Sequence, residues 1–192
     1  MADFNKAFDI TMGNEGGLAN NPNDAGGLTY KGITFRDWPD WSGWQDVKTA
    51  MGKYGVTNFT DRILAANGAL QSDVRAFYKR YYWDVNKLDQ VTNQAVANEL
   101  FDTGVNMGVK TAALFLQKSL NALNAVGRYY PNIDVDGIVG PKTIGYTNNH
   151  PNPKALLKML NGYQIKRYIE LIEKNETQEV FANSWLSRVM LA

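Results

Sequence analysis

The sequence predicts a mainly α fold with one small β-hairpin loop near its start. Apolar residues recur three and four apart through most of the chain, the period of a helix with one buried face. Residues 16 to 34 lack that period, are rich in Gly, Asn, Pro and Asp, and contain only short extended pieces. At 192 residues the chain fits one domain and buries roughly 70% of the surface its unfolded form exposes, so it needs no covalent staple.

Phe4, Ala7, Phe8, Thr11 and Met12 lie at helical spacing behind Asp3 and predict a helix over residues 3 to 14, stopped by Gly16 and Gly17. Leu28-Thr29-Tyr30 and Gly32-Ile33-Thr34 supply the extended pieces of the loop that follows. Trp38, Trp41 and Trp44 fall in a stretch read as irregular or as short helical turns, broken by Pro39 and Gly43. Thr60 is placed to cap one long helix carrying Ile63, Asn67, Leu70, Val74, Phe77, Tyr78 and Tyr81 and ending near Trp83. Two further helices are expected over 92–103 and 109–124, with Asp102 to Gly108 breaking them apart. Asp136-Gly137 signals a turn, and Gly140-Pro141 a helix start, because proline at the first position loses no needed N–H. A long amphipathic helix over 153–174 and a last one near 178–190 complete the chain.

Composition removes several chemistries. There is no cysteine, so disulfides, thiolate nucleophiles, iron–sulfur clusters and thiolate zinc sites are excluded together. His150 is the sole imidazole, so a histidine-rich metal site is impossible and a Ser-His-Asp triad would depend wholly on it. Neither a metal nor a cofactor is expected. Twenty Lys and Arg against nineteen Asp and Glu, without a long run of one sign, argue against nucleic acid as a partner. No stretch is apolar for long enough to span a bilayer, and the start lacks a charged stretch before an apolar core. The expectation is a monomer without stable membrane insertion, made in the cytoplasm without a signal peptide.

Metal-free, carboxylate-based chemistry remains, and Glu15 suits it. A carboxylate at the end of the first helix faces the negative pole of the helix dipole, which pushes its pKa upward as a general acid at neutral pH requires. Asp24 follows after eight intervening residues and Thr29 after four more, so the loop can fold both back toward Glu15 across a cleft. Two carboxyls and a hydroxyl are the kit for hydrolysing a glycosidic bond: one acid protonates the leaving oxygen, the other carboxylate serves water or cation, and the hydroxyl orients water. Asp24 also reads as an Asx-turn residue holding its own loop.

The frame Glu15-Gly16-Gly17-Leu18-Ala19-Asn20-Asn21-Pro22-Asn23-Asp24-Ala25-Gly26-Gly27-Leu28-Thr29-Tyr30-Lys31-Gly32-Ile33-Thr34 resembles the N-terminal signature of the glycoside hydrolase family 108 muramidases, which include phage endolysins and proteins once labelled secretion activators. Tyr82-Trp83-Asp84, Asp102 with Val105-Asn106-Met107-Gly108, Leu116-Gln117, Asp136-Gly137-Ile138-Val139-Gly140-Pro141-Lys142-Thr143 and Ser184-Trp185-Leu186-Ser187-Arg188-Val189 look like later landmarks of the same family. The Asp-Gly-Ile-x-Gly-Pro block is shared with peptidoglycan-binding modules.

The resemblance implies a single lysozyme-like α domain over 1–192, with a catalytic part over 1–95 and a peptidoglycan-binding-like helical part over 96–192 packed as one unit. It implies cleavage of the β-1,4 bond between N-acetylmuramic acid and N-acetylglucosamine in peptidoglycan glycan strands, with Glu15 as the catalytic glutamate. Such an enzyme acts at the cell wall after release or export. The spacing to Thr29 is one residue shorter than in the phage lysozymes of another family. Tyr30, Trp83, Asp102 and Asn106 are candidate substrate-binding residues; Asp102 and Asn106 read equally as caps of adjoining helices. A hydrolase of chitin or chitosan, and a murein-binding or secretion-assisting protein without turnover, are the alternatives.

Overall fold

The structure, a computed structural model, describes residues 1–13, 17–21 and 27–189. The fold is mainly helical with a small antiparallel sheet near the N-terminus, in two compact units: residues 12–80, and residues 1–11 together with the chain from Tyr81 onward.

The 12–80 unit opens with β1 (Leu18–Asn21), β2 (Gly27–Tyr30) and β3 (Ile33–Thr34), hydrogen-bonded in that order. The expected hairpin is thus a three-stranded sheet. Leu18 pairs with Tyr30 and Tyr30 with Ile33, so these side chains share one face, and all three are buried. Ala19, Thr29 and Thr34 share the other face. Lys31 and Gly32 join β2 to β3 with φ of 45° and 78°, the positive-φ pair that a two-residue I′ hairpin requires. At Gly32 a Cβ would also come within 2.6 Å of the Tyr78 hydroxyl, which donates to the Lys31 carbonyl at 2.8 Å.

Turns fill residues 35–43 as expected, but the third tryptophan starts a helix, α2 (Trp44–Tyr54), that the sequence reading lacks. Trp44, Val47 and Ala50 form its buried face. The Trp44 indole donates to the Trp38 carbonyl at 2.7 Å, while Trp38 and Trp41 meet Phe77 at ring-centroid distances of 4.9 and 6.3 Å. The three tryptophans therefore serve the core. The single helix expected from Thr60 to Trp83 is two, α3 (Asn58–Ala66) and α4 (Gly68–Tyr78), followed by a π-helical turn, Lys79–Trp83. Thr57 caps α3 by accepting from the Thr60 amide at 3.2 Å, and the buried Thr60 hydroxyl donates to the Gly55 carbonyl at 2.7 Å. Asn67 separates the helices at ψ 97°, its side chain accepting from the Leu70 amide at 3.1 Å.

α1 (Phe4–Met12) belongs, all but its last residue, to the other unit and sets Phe4 edge-on against Trp83 and Phe101, at 5.6 and 5.8 Å. α5 (Gln94–Met107) is buried at every position from Val96 to Gly104, which marks it as the central helix, and α6 (Val109–Ala122) and α8 (Pro153–Lys174) pack on it. The expected break across Asp102 to Gly108 narrows to Gly108 alone, at φ 91°. α7 (Pro141–Asn148) starts at the expected proline, and α8 has its expected bounds, with Asn152 capping the Ala155 amide at 3.0 Å. The last helix divides into a 3-10 segment, Glu176–Phe181, and α9 (Ala182–Arg188).

Candidate functional site

Glu15 and Asp24 lie outside the described residues. Their described neighbours are firmly held. The Leu18 amide donates to the Asp61 carboxylate on α3, and the Lys31 amide donates to the Gly17 carbonyl at 3.2 Å. A Cβ at position 17 would overlap the Asp61 carboxylate, so this residue of the Glu-Gly-Gly block must be glycine for the Leu18 bond to form. Thr29 is half-buried on the face of β2 opposite Tyr30, and its hydroxyl donates to the Gly27 carbonyl at 3.4 Å, a weak bond that leaves it free to turn.

Tyr30 is buried, and its hydroxyl accepts from the Gln71 amide at 2.9 Å. The same amide donates to the Leu64 carbonyl, and the Gln71 oxygen accepts from the Lys31 ammonium at 2.8 Å. Burial holds the Tyr30 hydroxyl above its ordinary pKa and the Lys31 ammonium below its own. Gln71 thus ties the sheet to the turn between α3 and α4.

In the other unit, Trp83 is buried between Phe4 and Phe101. Asp102 and Asn106 sit one turn apart on α5, and the exposed Asn106 side chain donates to the Asp102 carbonyl at 2.8 Å. The Asp102 carboxylate is nearly buried, accepts from the Gln164 amide of α8 at 2.8 Å and lies 4.0 Å from the Arg188 guanidinium of α9. One residue beside them was missed by sequence reasoning. Glu99 is 1% exposed, one turn before Asp102, and accepts from the Thr103 hydroxyl at 3.3 Å. Burial first, and the Asp102 charge second, push its carboxyl up to about 8. The signal for it was a Glu three residues before an Asp inside the apolar run Val96 to Phe101.

α9 closes over this pair: Trp185 stacks on Tyr168 at 5.0 Å while Arg188 faces Asp102. The C-terminal Ser184-to-Val189 block therefore has a physical role, covering two buried carboxyl groups with an aromatic ring and a cation. The Gln164 oxygen and the Tyr168 hydroxyl are buried beside them without a hydrogen-bond partner among the described residues.

Among the described residues no cluster of three or more His, Asp or Glu could hold a metal, and no helix is long and apolar enough to cross a membrane. His150 is buried against Tyr130, accepting from the Asn152 amide at 3.1 Å.

Residues 8–108, which are 101 of the 192, match the family model for glycosyl hydrolase 108. The chain belongs to glycosyl hydrolase family 108. Residues 111–190 match a predicted peptidoglycan domain. The two matches make this family 108 protein a glycoside hydrolase with a peptidoglycan-directed role. The solved structure of Brucella abortus SagA is similar, at 22% identity and a TM-score of 0.61, over 97% of this chain and 88% of that one; at that identity the likeness speaks for the fold. No curated protein matches significantly. Within the family 108 chain, the tie between Gly17, Leu18 and Asp61 and the Glu99–Asp102 pair both fall inside the hydrolase match, while the Arg188 and Trp185 that cover the pair come from the peptidoglycan match.

Proposed function

We propose that the chain is an N-acetylmuramidase that hydrolyses the β-1,4 bond between N-acetylmuramic acid and N-acetylglucosamine, with Glu15 as general acid. The family 108 match over residues 8–108, which contains the Glu15 block, followed by a peptidoglycan match, is the observation that carries this reading. Glu15 protonates the leaving oxygen, and Asp24 either activates water or steadies the cationic transition state. Thr29, whose hydroxyl is only weakly committed, orients the water. In the other unit, Asn106 offers an exposed amide to N-acetyl and hydroxyl groups of the glycan strand, and Asp102 holds that amide in place through its carbonyl. The buried Tyr30 and Trp83 act from behind, fixing the strand and the helix whose neighbours meet substrate. The enzyme works as a monomer without metal or cofactor.

The test is loss of turbidity of purified bacterial walls. Wild-type protein clears them, and Glu15→Gln, which folds but cannot deliver a proton, does not. A Glu15→Gln variant within a few-fold of wild type overturns the mechanism. Wild-type protein that binds walls without clearing them overturns the enzymatic reading.

A further inference from the structure

A groove of about 490 Å³ lies in the part of the chain that matches the peptidoglycan domain, within the range of ordinary ligand pockets. One wall is the loop from Pro131 to Ile138, and the other is the first two turns of α7, with Lys142, Thr143 and Tyr146. The walls are rigid for reasons visible in the hydrogen bonds. Gln117 forms the floor, its amide donating to Asp136 at 2.7 Å and to the Ile138 carbonyl at 3.1 Å, while its oxygen accepts from the Gly137 amide at 2.8 Å. Both ends of Gln117 are thereby used, so the floor has little hydrogen-bonding capacity left for a ligand. Tyr146 stacks on Tyr130 at 4.4 Å and 14°, and Tyr130 is anchored by donating to the Leu120 carbonyl at 3.1 Å.

Recognition therefore falls to the rim, and the rim is charged. Asp134 and Asp136 stand on the loop side and Lys142 on the helix side. Bonds from Gln117 and the Ile138 amide hold the Asp136 carboxyl below its usual range, so it is ionised at neutral pH. Asp134 and Lys142 have no hydrogen-bond or ion-pair partner among the described residues. On the same loop Ile138 stands 69% exposed, an apolar side chain that also lines the groove. The hydroxyls of a glycan whose muramic acids carry stems donate to carboxylates but bring no charge to match either the two acids or the ammonium. A short peptide with a free amine and free carboxylates complements all three, and peptidoglycan carries one on its muramic acid residues.

We propose that this groove binds the stem peptide of peptidoglycan, with Asp134 and Asp136 receiving the side-chain ammonium of its diamino acid, Lys142 a carboxylate, and Ile138 and Tyr146 its apolar parts. The proposal rests on the reading of the chain as a peptidoglycan hydrolase and adds to it that the glycan is cut in one part of the chain while the peptide is held in another. The groove then selects strands that still carry stems.

The test uses the full chain and two soluble probes: a muramyl-free stem tripeptide of Ala, γ-linked Glu and a diamino acid, and a peptide-free oligosaccharide of alternating N-acetylglucosamine and N-acetylmuramic acid. Titration by calorimetry or NMR should show the tripeptide binding to wild type. It should bind at least tenfold more weakly to Lys142→Glu and to Asp134→Lys, with oligosaccharide binding the same in all three. Each substitution is on an exposed side chain, and Asp134→Asn, isosteric, is the second variant should Asp134→Lys fail to fold; its expected loss is threefold or more. No tripeptide binding, or binding indifferent to these variants, overturns the proposal, as does oligosaccharide binding that falls with them, which would make the groove a glycan subsite. Cleavage of the oligosaccharide by wild type, measured alongside, separates this failure from failure of the hydrolase reading: glycan cut but no peptide bound sinks the groove alone, and neither event sinks both.

Discussion

Replacing Glu99 by Gln should stabilise the protein by an amount that grows with pH. The carboxyl is 1% exposed, and burial together with the Asp102 charge raises it from 4.5 to about 8. Between those limits the folded chain holds a proton that the unfolded chain releases, so stability falls as pH rises. Below 4.5 both states are protonated and the penalty vanishes; above about 8 both are ionised and it is constant. From 4.5 to neutrality each pH step is worth about 1.4 kcal/mol, so wild type carries a penalty of about 3 kcal/mol at pH 7. Gln keeps the shape, still accepts from the Thr103 hydroxyl and never ionises. Chemical denaturation followed by tryptophan fluorescence at pH 4, 5.5, 7 and 8.5 should show the variant and wild type alike at pH 4 and the variant ahead by about 3 kcal/mol at pH 7. In a thermal melt this is roughly 6–12 °C for a chain of this size. A difference that is the same at pH 4 and pH 7, or a variant that is weaker at pH 7, would refute the account of a carboxyl held neutral by burial.

Asp24→Asn should cut turnover strongly and Thr29→Ala less; wild-type rates for Asp24→Asn with an unchanged melting point would return Asp24 to a turn-forming role. Gly17→Ala should cost about 1–3 kcal/mol by driving the Asp61 carboxylate off the Leu18 amide, and should lower activity because position 17 lies two residues after Glu15; a variant with wild-type melting and rate would contradict this packing. Treatment with EDTA followed by its removal should leave wall lysis unchanged, and a loss restored by one divalent ion would point to a metal on the carboxylates instead.

How far the sequence speaks depends on whether an element's information is local. α8 was legible to the residue because Asn152 caps it, Pro153 suits its first position, and its apolar face repeats without interruption. α2 was not, since Trp44, Val47 and Ala50 were masked by an aromatic, glycine-containing stretch whose turns dominate the local pattern. The 60–83 segment read as one helix because Asn67 lies in register with the apolar face; as a cap for the Leu70 amide it does the opposite work. Glu15, Asp24 and Thr29 are proposed from sequence alone because one motif carries them within fifteen residues, and the first two lie outside the described residues. The pairing of Glu99 with Asp102 was harder: Gln164 and Arg188 reach Asp102 from 62 and 86 positions along the chain, and no local pattern announces such a meeting.

If Glu15 delivers the proton that splits the bond between muramic acid and glucosamine, the cut leaves new ends at muramic acid. Purified walls digested by wild-type protein, reduced with borohydride and analysed by mass spectrometry should yield new reduced muramic acid ends, and the Glu15→Gln digest should yield almost none. New reduced ends at glucosamine, or muramic acid ends produced equally by the Glu15→Gln variant, would contradict it.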